Sequence, residues 1–123
     1  MSKEQFLKEN LRLGEQYAGL LLGKGGKPDQ HIFLLPWEAN GVTWNAAVIL
    51  AQKAGGELPT RREQSLLFAN LKDQFKPEWY WSGEQHASYS ICAWFQYFGS
   101  GYQCDVRKSY YCRARAVRRL EIQ

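Results

Sequence analysis

In the first half of the chain the apolar positions come in short groups, each with its own period. Phe6, Leu7, Leu11 and Leu13 sit among Lys, Glu, Asn and Arg at rough helical spacing, which predicts a short amphipathic helix over residues 3–13. Residues 17–22 and 31–36 are apolar stretches separated by a Gly- and Lys-rich segment at 23–29. That pattern reads as a β-hairpin with a long loop, its second strand expected to end at Pro36. Beyond it, Trp44, Ala47, Val48 and Ala51 recur at i, i+3, i+4, i+7 behind Thr43 and ahead of Gly55-Gly56. This predicts a helix capped by the Thr43 side chain and stopped by glycine. A second helix is predicted after Pro59. Thr60 and Glu63 form the two ends of a capping box, each side chain accepting from the other residue's backbone N–H, and Leu66, Leu67, Phe68 and Leu71 supply the apolar face.

The last third changes character. Trp79-Tyr80-Trp81, Cys92-Ala93-Trp94-Phe95 and Tyr97-Phe98 are aromatic runs, and aromatics at this density favour strands. Turn residues at 99–101 and 107–109 predict an antiparallel meander. In the last strand the period of two puts Cys112, Ala114, Ala116, Arg118 and Leu120 on one face and Arg113, Arg115, Val117 and Arg119 on the other. A strand flanked on both sides must bury at least one of these guanidinium groups, which then needs carboxylate and carbonyl acceptors. Arg115 or Arg113 is expected to pair with Glu63 or Glu57 as a structural lock. The fold class expected is therefore α+β: an N-terminal β-hairpin, two helices and a C-terminal aromatic meander. Residues 1–14 form an amphipathic lead-in and 15–123 a single domain, since 123 residues suffice for one core and not for two.

Charge adds little. Sixteen Lys and Arg against twelve Asp and Glu give +4, and six of the sixteen lie after position 106, so the excess is local. A basic strand can meet nucleic acid or an acidic protein, or be only a solvated face. The first residues lack the apolar core of a signal peptide, and no apolar run approaches the ~20 residues of a membrane span. A soluble protein of the cytoplasm is expected, with no membrane partner. Cys92, Cys104 and Cys112 read as three thiols in that compartment, although Cys104 and Cys112 flank a predicted hairpin and a bridge between them stays open.

The series Leu58-Pro59-Thr60-Arg61-x-Glu63, Trp79-Tyr80-Trp81-Ser82, Ala93-Trp94-x-Gln96-x-Phe98 and Arg113-Ala114-Arg115-Ala116-Val117-Arg118 resembles a family of bacterial and phage domains. That family is typified by the C-terminal domain of a bacterial collagen-like adhesin, and the resemblance covers roughly residues 15–120. It implies a C-type-lectin-like fold, in which Trp44, Thr60, Glu63, Trp79, Trp81, Trp94, Arg113 and Arg115 are scaffold. Small stand-alone members occur in phages and prophages, which implies a place in the cytoplasm of a bacterial host or in a virion. The calcium-dependent sugar site of such lectins is not implied here. Its nearest counterpart, Lys27-Pro28-Asp29, has a cation where an oxygen ligand belongs and no Trp-Asn-Asp partner.

No catalytic pattern stands out. Residues 23–27 fail the phosphate-loop spacing, His31 and His86 have no metal-ligand neighbours at the right spacing, and no serine sits in a nucleophile elbow. No metal and no cofactor are expected, and the chain is read as a non-enzyme. Binding is expected from the polar loop at 82–90, with Glu84, His86 and Tyr89, and from the hairpin at 99–111, with Tyr102, Arg107, Lys108 and Tyr110, together with Tyr97 beside it. Tyr and Arg are enriched at protein interfaces, although Tyr97 and Tyr111 would equally serve to cover the sheet. The leading expectation is a phage accessory protein that binds a host protein, a defence system such as CRISPR-Cas being one target. A virion adhesin for a glycan or glycosaminoglycan, and a nucleic-acid binder stacking bases on these rings, are the alternatives. Oligomeric state stays open, because the segment around Phe6, Leu7 and Leu11 would pack on its own domain or on a twin.

Overall fold

A computed structural model describes residues 2–122. It is an α+β fold of three helices and one six-stranded sheet. The elements are α1 (Lys3–Asn10), β1 (Gln16–Leu21), β2 (Gln30–Val42), α2 (Trp44–Lys53), α3 (Arg61–Leu71), β3 (Trp79–Gln85), β4 (Cys92–Tyr97), β5 (Tyr102–Arg107) and β6 (Cys112–Glu121), with one 3-10 turn at Lys72–Gln74. The strand order is β1-β2-β6-β3-β4-β5. Neighbours are antiparallel except β6 and β3, which meet in parallel at Tyr80 and Arg113.

The helices form where their caps say they should. Thr43 and Thr60 both have extended backbone and accept from the third residue on. The Thr60–Glu63 box is complete, with Thr60 N donating to Glu63 Oε1 (2.8 Å) and Glu63 N to Thr60 Oγ1 (3.1 Å). Helix α2 ends at Gly55, whose φ of +94° only glycine adopts freely. α2 lies on one face of the sheet, its Ala47 and Ala51 against Ala114 and Ala116 of β6, with Leu35, Leu58 and Trp81 around them. α3 lies on the other face, its Leu67 against Ile32, Leu34, Tyr80, Phe98 and Val117. The small alanines of α2 and β6 allow that helix close to the sheet.

Four expectations need correction. The first helix stops at Asn10, not 13: Leu11 is already extended and Leu13 is fully solvent-exposed. Phe6 packs on its own domain, 4.1 Å from the His31 ring and beside Tyr17 and Phe33. Pro36 does not end β2. It sits where the β2–β6 register shifts between Leu34 and Glu38, a bulge that tolerates a residue with no N–H. The meander comprises only β3, β4 and β5; after the turn at Lys108, β6 returns to the middle of the sheet. Cys104 and Cys112 therefore do not flank a hairpin, and all three cysteines are free thiols.

The fourth correction concerns the arginine lock. Arg115 is buried, as expected, but its acceptors are the carbonyls of Gln74 (2.6 Å) and Leu35 (3.0 Å), with Glu38 at 3.9 Å. Arg113 pairs with Glu78 and, at 3.0 Å, with Glu38. Glu63 and Glu57 are taken by Arg119 instead, Glu63 through two bonds of 2.6 and 2.9 Å. The reason is reach along the strand. Glu57 bridges Val117, so the two carboxylates lie level with Arg119, about 13 Å of extended chain beyond Arg115. Arg118, on the opposite face, is held by Glu15 (2.7 and 2.8 Å) and by the Asn10 carbonyl, which ties the N-terminal segment to the domain.

Candidate binding surface

Strand pairing places one aromatic row across the meander. Trp79 pairs Tyr97, and Tyr97 pairs Tyr102, so the three rings point to one side. Trp81, Phe95 and Cys104 form the next row. Trp79 stacks on Phe95 with centroids 4.0 Å apart and 21° between planes, and it meets Tyr97 at 5.4 Å and Tyr102 edge-on at 6.2 Å. Trp81, deeper, is fully buried and donates its indole N–H to the Val42 carbonyl. The segment that carries the chain from β5 back to β6 lays Tyr110 and Tyr111 beside this row, 57% and 75% exposed.

Together these residues line a cleft of about 460 Å³, with Trp79, Phe95 and Tyr97 on one side and Tyr110 and Tyr111 on the other. Pro77, Asn40 and Cys112 complete it, and Glu78 and Arg113 lie at its polar rim. Both charged groups are engaged. Arg113 sits between Glu78 and Glu38, and Glu38 also accepts from the Tyr80 hydroxyl (3.0 Å). Burial pushes the Tyr80 phenol up to about 12, so it stays a donor, and burial likewise pushes the Cys112 thiol up to about 11, so it stays protonated. The cleft offers flat apolar area edged by hydroxyls, with charges neutralised locally.

The other expected binding residues lie elsewhere. Glu84 is on the α3 face, where its carboxylate accepts from the Arg61 backbone N–H (2.6 Å) and side chain (3.0 Å). It thus serves the N-terminus of α3, where negative charge is favoured. Arg61 lies over the Trp94 ring at 4.2 Å, and His86 stacks on that ring at 5.5 Å. His86 Nδ1 accepts from the backbone N–H groups of Ser88 and Tyr89, so it shapes the loop, while the Tyr89 side chain stands out into solvent. Lys108 is drawn over the Trp44 ring at 4.5 Å and bonds Gln85, leaving Arg107 in a shallow depression with Thr43 and Ile91. Of the eight binding residues expected, the structure brings Tyr97, Tyr102 and Tyr110 together.

Trp79 belongs to the cleft as well as to the scaffold, and Phe95 and Tyr111 join it. Alternation within the strands would have put Trp79 with Trp81 and Phe95 with Tyr97 on common faces. Asn40 comes from β2, and no local pattern announces it. A larger cleft of about 700 Å³ lies between the loop at 23–28 and the start of α3. Of its charged lining, Glu63, Glu84 and Arg119 are held in the Arg119–Glu63 and Arg61–Glu84 pairs, while Lys24, Lys27, Arg62 and Glu121 make no salt bridge among the described residues. Among the described residues, no three His, Cys, Asp or Glu side chains gather into a metal-binding group, and no helix is long and apolar enough to cross a membrane.

No protein-family model matches the chain, and no curated protein matches it either.

Proposed function

We propose that the chain is a non-catalytic binding module of C-type-lectin-like architecture whose aromatic cleft grips a protein partner, in keeping with a phage accessory protein acting on a protein of its bacterial host. The architecture is favoured by the long β6 running back into the centre of the sheet against the N-terminal hairpin, with a helix on each face and a short aromatic meander beyond. The observation that carries the binding reading is the cleft itself, in which exposed tyrosines flank a stacked Trp–Phe pair and every rim charge is already paired. Tyr and Trp give large rigid contact area at low cost in side-chain entropy, which is why they dominate protein-binding hot spots. A nucleic-acid reading loses support because Arg113, Arg115, Arg118 and Arg119 are spent on carboxylates and carbonyls within the fold.

The test is capture from host lysate, with and without nuclease treatment, by the parent and by a Tyr110→Ser/Tyr111→Ser variant, followed by calorimetry with the purified captured protein. Both tyrosines are exposed, so the variant should melt with the parent. Losing two hot-spot rings should weaken binding at least ~10-fold, equivalent to about 1.4 kcal/mol. Unchanged affinity would remove the cleft from the reading. Capture abolished by nuclease or by soluble oligosaccharide would replace the protein partner with nucleic acid or glycan.

A further inference from the structure

The sheet has two outer edges, and they are built differently. At the β1 edge the strand is broken by a bulge between Tyr17 and Gly19, Asn70 Nδ2 donates to the Ala18 carbonyl (2.7 Å), and Arg62 donates to the Leu22 carbonyl just past the strand (3.0 Å). Bulges and covering groups are how proteins close an edge to further pairing. The β5 edge has none of these. Its register on β4 runs unbroken from Cys92–Arg107 to Tyr97–Tyr102, and Tyr102–Arg107 contains no Pro, Gly or Lys. The Lys108 amide donates to the Ile91 carbonyl (2.9 Å). By the alternation of an antiparallel ladder, Tyr102, Cys104 and Val106 then bond to β4, while Gln103 and Asp105 turn their N–H and C=O outward. Among the described residues no side chain caps those groups.

We propose that β5 pairs antiparallel with the β5 of a second copy of this chain, about a two-fold axis at Cys104, joining two sheets into one. The choice of occupant and register rests on self-complementarity. A two-fold centred on Asp105 sets two carboxylates directly opposite, which is destabilising. Centring on Gln103 leaves Asp105 and Arg107 facing the turn at Gly99–Gly101. Centring on Cys104 keeps the two Asp105 carboxylates apart and sets Tyr102 against the second copy's Val106, an aromatic–β-branched pair, while Gln103, whose amide already donates to the Arg61 carbonyl and to Gln96 Oε1, faces the second copy's Asp105 through its backbone. Each arrangement occurs twice, and each Gln103–Asp105 pair exchanges two backbone hydrogen bonds. The axis stands perpendicular to the sheet, so both aromatic clefts open on the same side, and a partner carrying two epitopes would gain avidity. A single strand pair buries less than the ~1,200 Å² of stable interfaces, so the dimer forms with rising concentration between subunits that are already folded.

Sedimentation equilibrium on the full chain should show an average mass rising from 14.3 kDa toward twice that value with concentration. Asp105→Pro removes an outward N–H and no bond to β4; it should stay monomeric with the parent's circular dichroism. A covalent readout stands beside it in case proline perturbs the strand. In the Cys92→Ala/Cys112→Ala variant only Cys104 remains, and in a non-hydrogen-bonded antiparallel pair the two Cα atoms lie about 4.5 Å apart, within disulfide reach. Diamide, which accepts two electrons and two protons from the two thiols, should link this variant into dimers and leave the Cys104→Ala/Cys112→Ala variant unlinked. A monomer mass at every concentration without Cys104-linked dimer overturns the proposal. So does a dimer that folded Asp105→Pro leaves intact, or equal linkage through Cys92.

Discussion

Arg115 offers the sharpest test of how the sheet is held together. The residue is 9% exposed, its two Nη groups donate to the carbonyls of Gln74 and Leu35, and its guanidinium lies 5.2 Å from the Phe75 ring centre. Desolvation lowers its pKa from the ordinary arginine value, and nearby Glu38 works in the opposite direction. The two carbonyls belong to separate segments, the β2 strand and the turn after α3, so the planar fork joins them as a single-headed ammonium cannot. Arg115→Lys keeps the charge and loses one charged hydrogen bond and the stacking on Phe75, a cost of about 3 kcal/mol. With an unfolding entropy of about 2.1 cal/mol/K per residue over 123 residues, that lowers Tm by about 12 °C. Calorimetric or circular-dichroism melts of parent and variant decide it. A Lys variant that melts with the parent refutes the lock, and so does an Arg115→Met variant of parental stability, because methionine leaves both carbonyls without a donor.

Two further predictions follow from the same geometry. The hydrogen bond from Arg118, opposed by burial, holds the Glu15 carboxyl below its ordinary 4.5. Its stabilisation is therefore complete above that value and is lost as pH falls through the lower folded pKa, so Glu15→Gln should flatten the acid limb of a Tm-against-pH profile; an unchanged limb would place the acid sensitivity elsewhere. Gly56→Ala should destabilise by about 2 kcal/mol, since a Cβ there meets the Val117 carbonyl oxygen across the Glu57–Val117 bridge; a urea midpoint equal to the parent's would contradict this.

Local signals were legible wherever the chemistry is local. The caps at Thr43 and Thr60 concern hydrogen bonds across three residues, and the alternation of Ala114, Ala116 and Val117 concerns one strand, so both are written in consecutive positions. The same reading placed Arg115 among buried groups but gave it the wrong carboxylate. Which acid an arginine meets depends on strand register and on where a helix begins, and both are non-local. The binding residues suffered the same way. Glu84 and His86 are polar and lie in a loop between aromatic strands, yet the fold spends the first on the N-terminus of α3 and the second on the loop's own backbone.

The sequence by itself determined the α+β class, the caps of α2 and α3, the hairpin and the aromatic strands, because period, capping and turn chemistry act over a few residues. Only the tertiary structure decided that β6 leaves the meander for the centre of the sheet, that Arg119 rather than Arg115 takes Glu63, and that Tyr97, Tyr110 and Tyr111 close a cleft over Trp79 and Phe95. Those outcomes depend on which strand finds which neighbour. That choice is made by two cores, one under α2 and one under α3, drawing residues from both ends of the chain.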